Sequence, residues 1–101
     1  TMTYSVEISE TAMDDLCELS YTITETYSLP LTAIRYLDGI FEKIEKISQN
    51  PAAFPIRFNL SLLQYGADVR RANYKKMAII YTVGGSVVLI HRVIAASLII
   101  D

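Results

Sequence analysis

The chain has 101 residues, of which 51% are hydrophobic and 20% charged, with four glycines, three prolines and a net charge of −2. A sequence this apolar can bury enough surface to offset its ordering entropy, which excludes a disordered, collagen-like or low-complexity polypeptide, and its length suits one domain over residues 1–101. No apolar run reaches the ~18 residues of a bilayer span, the longest being broken by His91 and Arg92, so no membrane is expected as partner.

The N-terminus shows no basic stretch followed by an apolar one, so no secretory signal is expected, and Thr1 ahead of Met2 suggests a residue left over before the native start. The one cysteine, Cys17, cannot form an internal disulfide and fits a reducing cytoplasm. A single histidine leaves no His/Cys cluster for zinc, and no metal or other cofactor is expected. The charge is divided. Residues 1–50 hold nine acids against three bases, and residues 51–101 hold two acids against six bases. That polarity implies either a surface for a polyanion or acidic partner, or an acidic helical layer set against a basic sheet.

In chain order, Tyr4–Ile8 alternates apolar and polar residues as a half-buried strand does. Ser9 can cap a helix, with Glu10 favoured in its first turn by the helix dipole. Ala12, Leu16, Leu19 and Ile23 then recur at helical spacing to about Tyr27, with Asp14, Asp15, Glu18 and Glu25 on the outer side. Pro30 suits the first turn of a second helix, whose apolar stripe is Ile34, Leu37, Ile40, Phe41, Ile44 and Ile47. Gly39 interrupts this helix, and a close helix–helix approach would account for it.

Asn50-Pro51 ends the second helix. Residues 51–67 read as a connection with little periodicity. Val69–Asn73, Met77–Val83 and Ser86–Ile94 are β-branched, with Gly84-Gly85 as a two-residue hairpin turn. The order is β-α-α-β-β-β. It predicts an α+β fold of two layers, with two helices packed on a mostly antiparallel sheet.

The last two strands are apolar on both sides. Val88 and Ile90 oppose Val87, Leu89 and Val93, while Ala78 and Ile80 oppose Met77, Ile79 and Val83. Two helices hide only one face. The second face, with the apolar tail Ile94–Ile100, is therefore expected to be covered by another chain, the alternative being that residues 51–67 fold over it. A homodimer of the isolated chain through Leu98 and Ile99 is one form of that expectation.

The order of elements, with SETAMDDLCEL at Ser9–Leu19, AIRYLDGIFEKIEKISQNP at Ala33–Pro51 and VRRANYKKMAIIYTVGGSVVLIHRV at Val69–Val93, resembles the RelE/ParE superfamily of bacterial toxins, over roughly Tyr4 to Val93. These are the growth-arresting halves of type II toxin–antitoxin modules, often described as plasmid stabilisation proteins, so a cognate antitoxin protein is the implied partner. RelE-like members cut mRNA on the ribosome. That reaction needs a base for the 2′-hydroxyl, cations for the developing phosphate charge and an acid for the leaving oxygen.

The resemblance places Arg70 and Arg71 where the family's first basic group stands. Ala78 occupies the position of its next arginine, and Ala95-Ala96-Ser97-Leu98 that of its C-terminal Arg–Tyr or His–Tyr pair. A nuclease of that kind would need Lys75, Lys76 or His91 to substitute, which leaves Arg71 and His91 as the catalytic candidates. ParE-like members act on DNA gyrase by binding, and Arg92 resembles the arginine of their last strand, although AASLIID replaces their basic tail.

The favoured expectation is a ParE-like toxin that binds such a target through Arg70, Arg71, Lys75, Lys76 and Arg92. The alternatives are a ribosome-dependent endonuclease acting on mRNA and a non-toxic remnant that keeps only its antitoxin interface. Each candidate also has a plainer role. His91 can be a structural hydrogen-bonder, Arg70 and Arg71 can be solvated on opposite faces of their strand, and Tyr81 and Cys17 can be simple packing residues.

Overall fold

The computed structural model describes residues 3–100. The first strand, β1 (Ser5–Ile8), runs into Ser9, the N-cap of α1 (Glu10–Tyr21). The Ser9 hydroxyl accepts from the Ala12 N–H at 3.0 Å and donates to the His91 carbonyl at 2.9 Å, so one side chain starts the helix and ties it to the last strand. α1 widens into a π-helical turn at Thr22–Thr26, and Ser28 reverses the chain with φ of 54°. α2 (Pro30–Gln49) begins on the proline, as expected.

After short 3₁₀ turns at Pro51–Ala53 and Leu60–Tyr65 come β2 (Arg70–Tyr74), β3 (Met77–Gly84) and β4 (Val87–Ala95). The sheet order is β1-β4-β3-β2, with β1 parallel to β4 and the other pairs antiparallel. This is the expected α+β architecture of two helices on a four-stranded sheet, with one parallel pair.

The helices cover one sheet face. Ala12 and Leu16 of α1 and Ile40, Ile44 and Ile47 of α2 pack on Ala72, Ile79, Tyr81, Val88, Ile90 and Val93. Tyr81 is fully buried, and its hydroxyl finds the Pro51 carbonyl at 2.6 Å. Burial pushes that phenol up to about 12, against a smaller opposing pull from the Arg70 charge.

The second sheet face is not left for another chain. Leu62, from the 3₁₀ turn Leu60–Tyr65, is 1% exposed and packs on Val69, Ala78 and Ile80, with Tyr65, Ala96 and Ile99 around them. The connection between α2 and β2 is thus a strap that closes the face itself, helped by the tail. Its lack of periodicity follows from its task, because a single short 3₁₀ turn that buries Leu62 and partly buries Tyr65 is too short to show a repeat.

Four local expectations are corrected. The β3–β4 turn is Gly85-Ser86, with Gly85 at φ of 59° and Gly84 paired to Val87 inside the strands. Tyr81 pairs with Ile90 but Ile80 with Arg92, so His91 is the extra residue of a β-bulge. The parity of β4 changes there, which puts Val93 on the helix side with Val88 and Ile90. Ile34 and Phe41 of α2 face solvent, the buried stripe being Ala33, Ile40, Ile44 and Ile47.

Gly39 accommodates a strand residue, with no second helix involved: a Cβ there would lie inside the phenol of Tyr74. Gly39→Ala is expected to cost about 1–3 kcal/mol by overpacking. In a Tyr74→Ala background the same change should gain about 1 kcal/mol from helix propensity. Urea denaturation of the four proteins measures this, and equal losses in both backgrounds would clear Tyr74 as the obstacle.

Candidate functional site

The basic residues singled out from the sequence are dispersed. Arg70, on the helix side of β2, turns inward and its Nη1 donates to the Phe54 carbonyl at 2.5 Å. Arg71, on the opposite face, donates from Nε to Asn73 Oδ1 at 2.9 Å. Lys75 and Lys76 form the β2–β3 turn. Lys75 takes φ of 51°, a conformation that costs a side-chain-bearing residue of order 1 kcal/mol. Its Nζ stands 5.4 Å from the Tyr36 ring and 5.5 Å from the Tyr74 ring, two tyrosines that themselves meet edge to face.

Arg92 is engaged by α1. Its Nε and Nη2 donate to the two carboxylate oxygens of Asp15 at 2.7 and 2.9 Å, and the Val93 N–H donates to the same carboxylate at 3.0 Å. The hydrogen bond to Asp15, with a second to Tyr65, raises the pKa of the guanidinium. Asp15 thus leaves the outer acidic face of α1, while Asp14, Glu18 and Glu25 stay on it.

The two nuclease candidates are not brought together. Arg71 and His91 lie on the strap side of β2 and β4, with β3 between them, which sets their backbones ~10 Å apart at two strand spacings. The intervening residue, Ile80, is fully buried under Leu62, so apolar side chains fill the space where a phosphate would sit. Ala78 is buried in the same cluster.

His91 instead shares a 2.7 Å hydrogen bond with the Thr82 hydroxyl and lies beside the Tyr65 ring, 5.3 Å between centroids. Burial lowers its pKa from the ordinary 6.5. The unfolded chain therefore takes up this proton before the folded chain does. The resulting contribution to stability is complete above pH 6.5 and lost as the pH falls below it. His91→Gln should flatten the pH dependence of stability in that window, read as the difference between wild type and variant in thermal melts. Parallel curves would refute it.

The structure also shows a site that the periodicity concealed. Between α1 and α2 runs a groove of about 480 Å³, lined mainly by Met13, Leu16, Cys17, Tyr21, Leu37 and Phe41. Met13, Tyr21 and Phe41 on its walls, with Tyr27 in the connecting turn and Leu31 and Ile34 at the start of α2, are exposed. From Glu10 to Gln49 the chain carries eight acids against three bases, so this apolar strip lies in an acidic setting. The signal available beforehand was an apolar set on α2 broader than one buried stripe needs. Among the described residues no helix is long and apolar enough to cross a membrane, and no group of three or more His, Cys, Asp or Glu side chains is placed to hold a metal ion.

Two helices on a four-stranded sheet of order β1-β4-β3-β2 place the chain among known toxin folds. The chromosomal ParDE toxin–antitoxin system from P. aeruginosa is similar with a TM-score of 0.69 at 18% identity, over 92% of this chain and 96% of that one. The toxin–antitoxin complex RelBE2 from Mycobacterium tuberculosis is similar with a TM-score of 0.61 at 21% identity, over 93% and 99%. At these identities the likeness is one of fold. None of the curated proteins matches the chain. The family model for the ParE toxin of type II toxin–antitoxin systems, parDE, matches residues 6–97, and the chain belongs to that family.

Proposed function

We propose that this toxin arrests growth by binding a cytoplasmic target in the manner of the gyrase-directed members its sequence resembles, and that a cognate antitoxin neutralises it through the groove between α1 and α2. The observation that carries the first part is the separation of Arg71 from His91 by the buried Ile80, together with the engagement of Arg70 by Phe54 and Arg92 by Asp15. A binder needs no convergent acid, base and phosphate clamp, and the candidates Arg71 and His91 do not form one among the described residues. Arg71, Lys75 and Lys76, exposed or half-exposed along the β2 edge, are the cations left for an acidic target surface.

The second part rests on chemistry. An apolar cleft set among acidic side chains suits an amphipathic helix with apolar anchors at i, i+3 and i+4 and with lysine or arginine beside them.

The test is induction of the chain alone in bacteria, followed by probing of transcripts and plasmid topology. The expected result is growth arrest with altered supercoiling and intact mRNA. Codon-placed cuts in translated mRNA, abolished by Arg71→Ala or His91→Ala, would establish the endonuclease instead, and absence of arrest would indicate a chain that only binds its antitoxin. For the groove, Phe41→Lys should abolish neutralisation by the co-expressed antitoxin while leaving arrest intact.

A further inference from the structure

A cavity of about 270 Å³ opens where the connection after α2 meets the sheet. Tyr4, Pro51, Ile56 and Val83 wall it, and Asp68 and Arg70 bring opposite charges to it. The two charges line one space, yet among the described residues no ion pair joins them. They stand two positions apart in the chain, so their backbones are at most ~7 Å from each other. Arg70 is positioned rather than consumed. Its Nη1 donates to the Phe54 carbonyl, which fixes the guanidinium and leaves the rest of its N–H fork for a ligand. The Pro51 carbonyl is already taken by the Tyr81 hydroxyl at 2.6 Å, and that of Phe54 by Arg70. The Asp68 carboxylate is therefore the charged acceptor that the cavity offers.

This pairing selects against simple ligands. An anion drawn to Arg70 meets the like charge of Asp68, and a cation drawn to Asp68 meets that of Arg70. An apolar molecule would strip water from both charges and return no hydrogen bond. A small dipolar molecule avoids all three costs. An α-amino acid carries its ammonium and carboxylate on one carbon, a separation that fits between two side chains so close in the chain. The volume is below the ~300–1,000 Å³ of pockets for drug-sized ligands, which suits a single residue better than a nucleotide. Ile56 and Val83 favour an apolar side chain on it.

We propose that this cavity binds a free apolar α-amino acid, with its carboxylate on the Arg70 fork and its ammonium on Asp68. The cavity shares no lining residue with the α1–α2 groove, and the inference is independent of the target and antitoxin readings.

Calorimetric titration of the full chain with L-leucine, L-methionine and L-phenylalanine tests it, alongside thermal melts in their presence. Saturable one-to-one binding is expected for at least one, with a concentration-dependent rise in melting temperature. The N-acetyl derivative of that amino acid lacks the ammonium and its amide lacks the carboxylate, so each should bind at least ~tenfold more weakly. Asp68→Asn, at an exposed position, should weaken the amino acid to a similar degree and leave the N-acetyl derivative no weaker. Arg70→Gln should weaken the amino acid and spare the amide, with far-UV circular dichroism checking that both variants stay folded.

Neither heat nor a rise in melting temperature up to millimolar amino acid would overturn the proposal. So would equal binding of the two derivatives, or binding indifferent to Asp68→Asn. Guanosine or inorganic phosphate that binds where the amino acids do not, and is lost on Arg70→Gln, would assign the cavity to another ligand and equally overturn it.

Discussion

Leu62→Ala is expected to lower the stability of the fold by about 3 kcal/mol, within the ~2–5 kcal/mol that such truncations cost in a packed core. The argument starts from the sheet. Ala78 and Ile80 are fully buried on the face away from the helices, and Leu62 is what covers them. Truncation leaves a void beside Val69 and Ile80, because Leu62 is the one fully buried side chain of its turn and Tyr65 packs only partly against the same cluster. Leu63, next along and 46% exposed, should tolerate alanine within about 0.5 kcal/mol. Urea denaturation of the two variants measures the contrast. Equal small effects would mean that the strap lies loosely on the sheet, and the space between Arg71 and His91 would then open cheaply enough to return both to consideration as a catalytic pair.

The order of elements and their approximate limits were legible because each rests on local chemistry: Ser9 as a cap, Pro30 at a helix start, alternation in the strands, glycine at the last turn. What escaped the sequence depends on pairings between distant segments. The bulge at His91 arises from the register of β4 against β3, and a two-residue period carried past it puts Val93 on the wrong face. Gly39 is small because Tyr74, from another layer, rests on it. The double-sided apolar character of β3 was legible, but the identity of its cover was not. A strap that buries Leu62 and exposes Phe58, Leu60 and Leu63 looks like any irregular connection until the sheet beneath it is known.

The candidate site was legible in residue type and misleading in arrangement. Arg70 and Arg71 stand on β2 and His91 and Arg92 on β4, with β3 between them, and each is drawn toward a different partner: a carbonyl of the connection, a neighbouring asparagine, a threonine and an aspartate of α1. The groove between the helices was hidden for the converse reason. Exposed apolar residues on α2 extend the buried stripe in projection, and only the packing separates Phe41 and Ile34, which face outward, from Ile40 and Ile44, which face the sheet.

Asp15→Ala should cost about 2–3 kcal/mol, because the carboxylate answers two needs at once. β1 ends at Ile8, so beyond Ile90 the edge of β4 on that side has no strand beside it. Asp15, 11% exposed, reaches across from α1 to accept the Val93 N–H and the fork of Arg92, whose side chain is 30% exposed. Removing it orphans a backbone donor and leaves a guanidinium beside apolar surface. Replacing the pair together, Asp15→Leu with Arg92→Met, should recover the part due to the unpaired charge and keep the part due to the N–H. The double variant then falls between wild type and Asp15→Ala in chemical denaturation. The comparison also separates two roles for Arg92. If it only holds β4 to α1, Arg92→Met loses toxicity no faster than it loses stability. A variant with wild-type unfolding and abolished growth arrest would make Arg92 a contact to the target.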